Sequence, residues 1–318
     1  MKATKIILLS GLCLMGSTAM TSCQQDEESV ITPSKDVEQG VKSKPLSVLF
    51  DIFQGENSSI GQTRAIKTGT SFATGDKIGI YVTNSSGSAL YNSTSGNVLA
   101  TKAASSWTIA TSIPLSATAA KVYAYYPYNS SATATIAGMK VIPVNTGTDD
   151  YLWGVSSSTY TATSATASIT MKHALSQIRF TFTNSNSPNG CSLTNITLQD
   201  ATSTATLYKT GTMDITTGII TNGTAGSTSL SSSASFKSST VTQNMLMFPA
   251  AIAASTVKAT FTIDSKTYTL NIPAITWEAG KIYTYPVQMV GTNLVLNATG
   301  ITITDWVAGS TASATTFN

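Results

Sequence analysis

The chain has 318 residues with 18 basic and 15 acidic side chains, one histidine, and only 10% charged residues. A charge so low and so balanced excludes a basic nucleic-acid surface and leaves Ser and Thr as the surface polar residues, a composition that suits β-strands. One histidine also leaves any serine or cysteine triad a single candidate base and argues against a zinc site.

Lys2 and Lys5 precede an apolar stretch from Ile6 to Met15, and Gly16-Ser17-Thr18-Ala19 then leads to Met20-Thr21-Ser22-Cys23. That is the layout of a secretory signal, too short and wrongly flanked for a membrane span. Cys23 directly after the expected cut selects a lipoprotein signal over residues 1–22, with Cys23 as the lipidated residue. Cys13 competes poorly, because Leu12 precedes it and Lys5 lies close upstream. The 318 residues less these 22 leave 296, enough for one large or two medium domains. Cys191 is then the one unmodified cysteine, so no intrachain disulfide is expected and stability rests on a packed core.

Gln24 to Lys44 is polar and without periodicity, and reads as a tether. From Pro45, Leu46, Val48, Phe50 and Ile52 alternate with polar neighbours, which predicts a strand with one buried face. A polar loop, Gly55 to Gln62, ends at Thr63-Arg64-Ala65. Thr74-Gly75-Asp76 turns into a strand over Lys77 to Val82, and a second runs from Lys121 to Tyr126 and stops at Pro127. Ile178, Phe180 and Phe182 alternate before the turn-rich stretch 184–190, the expected domain boundary.

Short strands are expected at Cys191 to Leu198, Ala205 to Tyr208 and Asn244 to Phe248. Asp214 to Asn222 contains a glycine turn, and Thr224 to Ser235 reads as a low-complexity loop. Val257, Ala259, Phe261 and Ile263 alternate, and Asp264-Ser265-Lys266 turns into Tyr268, Leu270 and Ile272. Many short strands with almost no helical periodicity predict an all-β chain of two tandem β-sandwich domains.

Chemistry is sparse. His173 lies in Met171-Lys172-His173-Ala174-Leu175 at the entrance to a strand and reads as a packed histidine rather than a base; nothing local pairs it with Cys191. The sequence holds no G-x-S-x-G, C-x-x-C, Walker loop or H-E-x-x-H. The adjacent Asp149 and Asp150 would point to opposite faces of a strand, so a loop or turn role is expected for them. No enzymatic activity and no cofactor are expected. Tyr123 and Tyr125 share one strand face, which allows either a saccharide-stacking platform or a packed core face; the core reading is favoured.

Several segments together resemble the fimbrillins, the pilin-like lipoproteins of Bacteroidales that build type V pili. They are Cys23; Thr63-Arg64-Ala65; Phe72-Ala73-Thr74-Gly75-Asp76-Lys77-Ile78-Gly79-Ile80-Tyr81; Tyr123 to Tyr128; and His173 to Phe180. Thr276-Trp277-Glu278-Ala279-Gly280-Lys281-Ile282-Tyr283-Thr284-Tyr285 and Ile303-Thr304-Asp305-Trp306 complete the set. Asp26-Glu27-Glu28 also resembles the surface-export signal of Bacteroidetes lipoproteins, although a solvated charge run fits equally.

The resemblance implies two Greek-key, transthyretin-like sandwiches, over 65–185 and 186–318, behind a lipidated tether and removable first strand over 23–64. It implies a lipid-anchored precursor at the outer membrane, cut between Arg64 and Ala65 by an arginine-specific protease and then carried into a surface fimbrium. The lost strand (Leu46, Val48, Phe50, Ile52) would leave a groove open to a strand from another subunit. Leu294, Leu296, Ile301 and Ile303, in a tail of about 293–318, are the expected donors. The partners implied are copies of the chain or related subunits, and a host protein or glycan. A stalk subunit is the reading favoured; a tip or anchor subunit, or a glycan-binding lipoprotein that stays anchored by Cys23, are the alternatives.

Overall fold

The computed structural model describes residues 42–53 and 71–306, together with the backbone of Thr315–Thr316. The described residues are all-β, and their helical elements are two 3-10 turns, Gly138–Lys140 and Ala298–Gly300.

The first half supplies ten strands. Before residues 54–70 come β1 (Lys44–Pro45) and β2 (Ser47–Ile52). After it come β3 (Lys77–Asn84), β4 (Val98–Lys102), β5 (Trp107–Ile109), β6 (Pro114–Leu115) and β7 (Ala120–Tyr126). Then follow β8 (Ile142–Asn145), β9 (Leu152–Val155) and β10 (Thr166–His173). Seven of them form one sheet in the order β2-β10-β9-β7-β3-β4-β5, while β1 pairs β6. The sheet folds over its own core, bringing its two ends together: the ring of Phe50 on β2 meets Trp107 on β5 edge-on at 4.9 Å. Inside lie Ile78, Ile80, Val82, Val122, Ala124, Leu152, Ile169 and Met171, all nearly inaccessible to solvent. Alternation alone accounts for this face, because every second side chain of a strand points the same way.

The second half begins with β11 (Ser176–Ser185), β12 (Ser192–Asp200), β13 (Thr210–Met213), β14 (Ile220–Asn222) and β15 (Thr228–Ser235). It continues with β16 (Val241–Met247), β17 (Ala250–Ile252), β18 (Val257–Ile263), β19 (Lys266–Asn271) and β20 (Ile275–Trp277). The last four are β21 (Lys281–Val290), β22 (Asn293–Leu296), β23 (Thr302–Asp305) and β24 (Thr315–Thr316). One sheet runs β16-β11-β21-β23-β24, with β22 also on β21, and a second runs β15-β12-β18-β19. Between them Phe180, Phe182, Phe236, Phe261 and Tyr285 fill a sandwich core, with Phe261 edge-on to both Phe180 and Phe182.

Three expectations change. The boundary proposed at 184–190 is a turn inside the second half: β11 before it pairs β16 on one side and β21 on the other. The sheets divide instead at Ala174-Leu175, between β10 and β11. Thr228–Ser235, read as a loop, is strand β15, because its polar side chains cover an outward sheet face while Thr228 is buried. Ala205 to Tyr208 does not form a strand; Tyr208 makes a single bridge to Ala225, and the ladder starts at Thr210.

A third core joins the halves. β8 of the first half pairs β13 of the second, and β14 completes a three-stranded sheet. Beneath it Tyr81, Tyr125, Met139 and Val144 pack with Met213, Ile215, Leu246 and Phe248.

Candidate functional site

Strand β2 carries the alternation that the sequence predicts. Leu46, Val48, Phe50 and Ile52 are each 5% exposed or less, whereas Ser47, Leu49 and Asp51 face outward. β2 runs parallel to β10, with Ser47 opposite Thr166 and Ile52 opposite Met171. It ends the sheet, so β10 is its only sheet neighbour among the described residues. Its ends are tied by hydrogen bonds: the Leu46 amide donates to Ile113, Ser47 to Ala165, and Phe53 to Met171 at 2.6 Å. Burying each large apolar side chain is worth about 1.5–3 kcal/mol. Four such side chains hold β2 in place without help from the covalent link through 54–70.

The neighbouring strand β10 carries the same alternation. Ala167, Ile169, Met171 and His173 are buried while Thr166, Ser168, Thr170 and Lys172 are exposed, a period of two over the whole of β10. From Thr166 to Met171 its ladder partner is β2; only Lys172 and His173 pair β9. Loss of β2 would therefore uncover one edge of β10 along a six-residue register, where every second residue turns its N–H and C=O toward the departed strand.

The C-terminal segment differs from a free tail. Leu294 and Leu296 on β22 are half-buried against the second core, Ile303 packs there as well, and Ile301 is 2% exposed. β22 pairs Val287 to Val290 of β21, and β23 pairs Lys281 to Thr284 of the same strand. The two thus form one interrupted edge, broken at the turn where the Asn297 side chain accepts from the Gly300 amide at 3.2 Å. The four expected donor side chains are seated in their own core, because β21 offers them an unpaired edge with no loop-closure distance to span.

At the end of β10 the two halves meet. The His173 ring stacks on Trp306 at 3.9 Å and 6°, and its Nδ1 lies 3.1 Å from the Asp150 carboxylate. Asp150 is fully buried and Asp149 exposed, so the pair separates as expected, but Asp150 serves a buried contact rather than a solvent turn. His173 is a packed histidine. Cys191 is buried and takes up a positive φ, its amide donating to Asp264 at 2.9 Å and its thiol facing the Asn189 carbonyl. Arg179 lies mid-strand in β11, bonded to the Asn244 side chain, and burial lowers its pKa.

The tyrosine platform is absent. Tyr123 is 6% exposed and Tyr125 is fully buried; both face the third core. The Tyr125 hydroxyl donates to Asn97 Oδ1 at 2.6 Å and accepts from the Asn129 amide at 3.2 Å. Burial raises its pKa, and burial with the nearby Tyr128 pushes Tyr81 up to about 12. A saccharide has no route to these rings. Cys23, Arg64 and Ala65 lie outside the described residues.

A family model described as fimbrillin-like matches residues 63–306. Comparison with curated proteins finds no match. Among solved structures, the chain is similar to a candidate cell adhesion protein from Bacteroides ovatus, with TM-score 0.63 and 18% identity over 84% of this chain and 99% of that one. A second, from Bacteroides uniformis, gives TM-score 0.61 and 18% identity over 83% and 98%. The C-terminally truncated tip fimbrial protein Mfa3 of Porphyromonas gingivalis aligns over 83% of this chain and all of its own, with TM-score 0.47 and 10% identity. At such identities the structural likeness speaks for the fold alone. The family match spans most of the chain, and the chain belongs to the fimbrillin-like family.

Proposed function

We propose that this chain is a structural subunit of a cell-surface pilus, exported as a lipoprotein on Cys23, cut after Arg64 and polymerised by strand exchange. One observation carries the reading: a buried edge strand, β2, is joined to the remainder of its domain only through the segment that contains Arg64. Cutting there converts β2 from part of the chain into a ligand of it. The groove left behind offers an apolar trough and an unpaired strand, the two features that recruit a strand from another molecule. A contact of this kind between two different surfaces does not close on itself, so it continues into a filament. The family match begins at Thr63, one residue before Arg64, and so leaves out β2.

Arg64 is one of two arginines, and the other, Arg179, is held between β16 and β21, where a protease has no access to its backbone. The donor is proposed to be the β22–β23 edge of a neighbouring copy or of a related subunit. Leu294, Leu296, Ile301 and Ile303 match the apolar bulk of the strand that leaves. To donate, this edge must first come off β21, so assembly is expected to be slow and to need both events. An apolar donor edge favours a stalk subunit over an anchor that keeps its lipid and lacks a usable donor tail. A structural subunit of this kind needs no catalytic group.

The test is to cut the purified precursor with an arginine-specific protease and run it unboiled on a gel. A ladder is the expected result. Monomer that persists with Arg64 demonstrably cut would sink the polymerisation reading. Mass spectrometry of the membrane-bound precursor checks lipidation separately, with the acyl mass expected on Cys23 and lost in Cys23→Ala.

A further inference from the structure

A cleft of about 730 Å³ opens where the two halves meet. From the first half, Trp153, Lys172 and His173 line it; from the second come Ile219, Glu278 and Asp305. Its volume falls within the range of small-molecule sites. Its walls mix two kinds of surface. Ile219 is 66% exposed and Phe53 47% exposed, so apolar area faces solvent there without being covered. Beside these are charged side chains in equal number: Lys172 and Glu278, and Lys281 bonded to Asp305 at 2.6 Å on the rim.

The polar groups are placed rather than scattered. Asp150 engages Nδ1 of His173, whose ring lies at the cleft wall stacked on Trp306. The Lys172 ammonium lies 5.5 Å from the centre of the Trp153 ring and 6.0 Å from that of Phe53, and so bridges the aromatic wall. The Trp153 indole is held in turn against Gly218, where a Cβ would come within 2.0 Å of the indole nitrogen. Gly218 also has φ +77°, so both space and backbone call for glycine at this wall.

We propose that this cleft binds a neutral oligosaccharide. Sugar rings present an apolar C–H face and a rim of hydroxyls, which suits apolar walls with carboxylate and amine groups between them, here Glu278 and Lys172. The balanced charge favours a neutral sugar over a sialylated or phosphorylated one. A purely apolar peptide would bury Glu278 and Lys172 without partners, at a cost that a hydroxylated ligand avoids.

The experiment titrates the full, uncut chain, which retains Phe53, with maltotriose, cellotriose, mannotriose and chitotriose, reading tryptophan emission and calorimetric heat. At least one series is expected to bind and to shift the emission. Glu278→Gln should weaken binding by about tenfold, as expected for loss of a charge-assisted hydrogen bond. Ile219→Arg should abolish binding by filling the cleft, and both exposed positions should leave the melting temperature unchanged. Three outcomes overturn the proposal: no binding by any trisaccharide at millimolar concentration, binding undiminished in both variants, or tighter binding of sialyllactose or of an apolar peptide than of every neutral sugar.

Discussion

Gly79 sits in the middle of β3, where glycine ordinarily weakens a strand, and the reason is across the sheet. A Cβ at this position would lie 2.0 Å from the Tyr125 ring, which is fully buried and hydrogen-bonded at its hydroxyl. Gly79→Ala is therefore expected to destabilise the first half by about 2–3 kcal/mol, because the ring has nowhere to move; urea denaturation measures it. The buried tyrosines predict alkaline sensitivity. Tyr81 ionises near 12 in the folded protein against 10 in the unfolded chain, and Tyr125 and Tyr285 are raised as well. A pKa raised by folding means the unfolded chain loses its proton first. Stability should hold below pH 10 and fall as pH climbs from 10 through 12. A final step of tyrosinate absorbance that rises together with loss of circular dichroism is the expected signature; ionisation of the full set of tyrosines near pH 10 with circular dichroism still native would contradict the burial.

At the scale of elements, two sheet edges matter to the proposed assembly, β2 and the β22–β23 edge. Phe50 on β2 is 5% exposed and packs edge-on against Trp107, so Phe50→Ala should cost about 3–5 kcal/mol in the intact chain. Once Arg64 is cut, the same change should speed the departure of β2, read as earlier onset of the polymer ladder. The C-terminal edge sets a different requirement. Deletion of 293–318 removes Ile301 and Trp306, which are 2% and 3% exposed, and should damage the fold as well as donation. Truncation after Trp306 keeps β22 and β23 and is expected to yield a folded chain that still polymerises. A folded truncation that stays monomeric after cutting would place the donor beyond Trp306.

Legibility at this scale followed periodicity. β2, β18 and the turn into β19 were readable because apolar residues alternate and Asp264-Ser265 supplies the positive-φ pair of a tight turn. β15 was not, because its Ser-rich alternation lacks apolar contrast, and a strand whose polar residues cover an outward face looks like a loop.

Over the whole molecule, the third core and the His173–Trp306 stack tie the two halves together. Trp306→Ala should cost about 3–5 kcal/mol and lower the cooperativity of unfolding, measured as divergence between near- and far-ultraviolet transitions. Composition and alternation by themselves determined that the chain is all-β and lacks the sequence motifs of common catalytic sites. Those properties are local, since each is set by residues a few positions apart. Only the tertiary structure decided that Tyr123 and Tyr125 face inward, that the expected donor residues are already seated on β21, and that β11 belongs to the second half. It also brought Trp153, His173, Glu278 and Asp305 to one cleft. These follow from which edge pairs with which across long stretches of chain, and alternation says which face is apolar but not what will cover it.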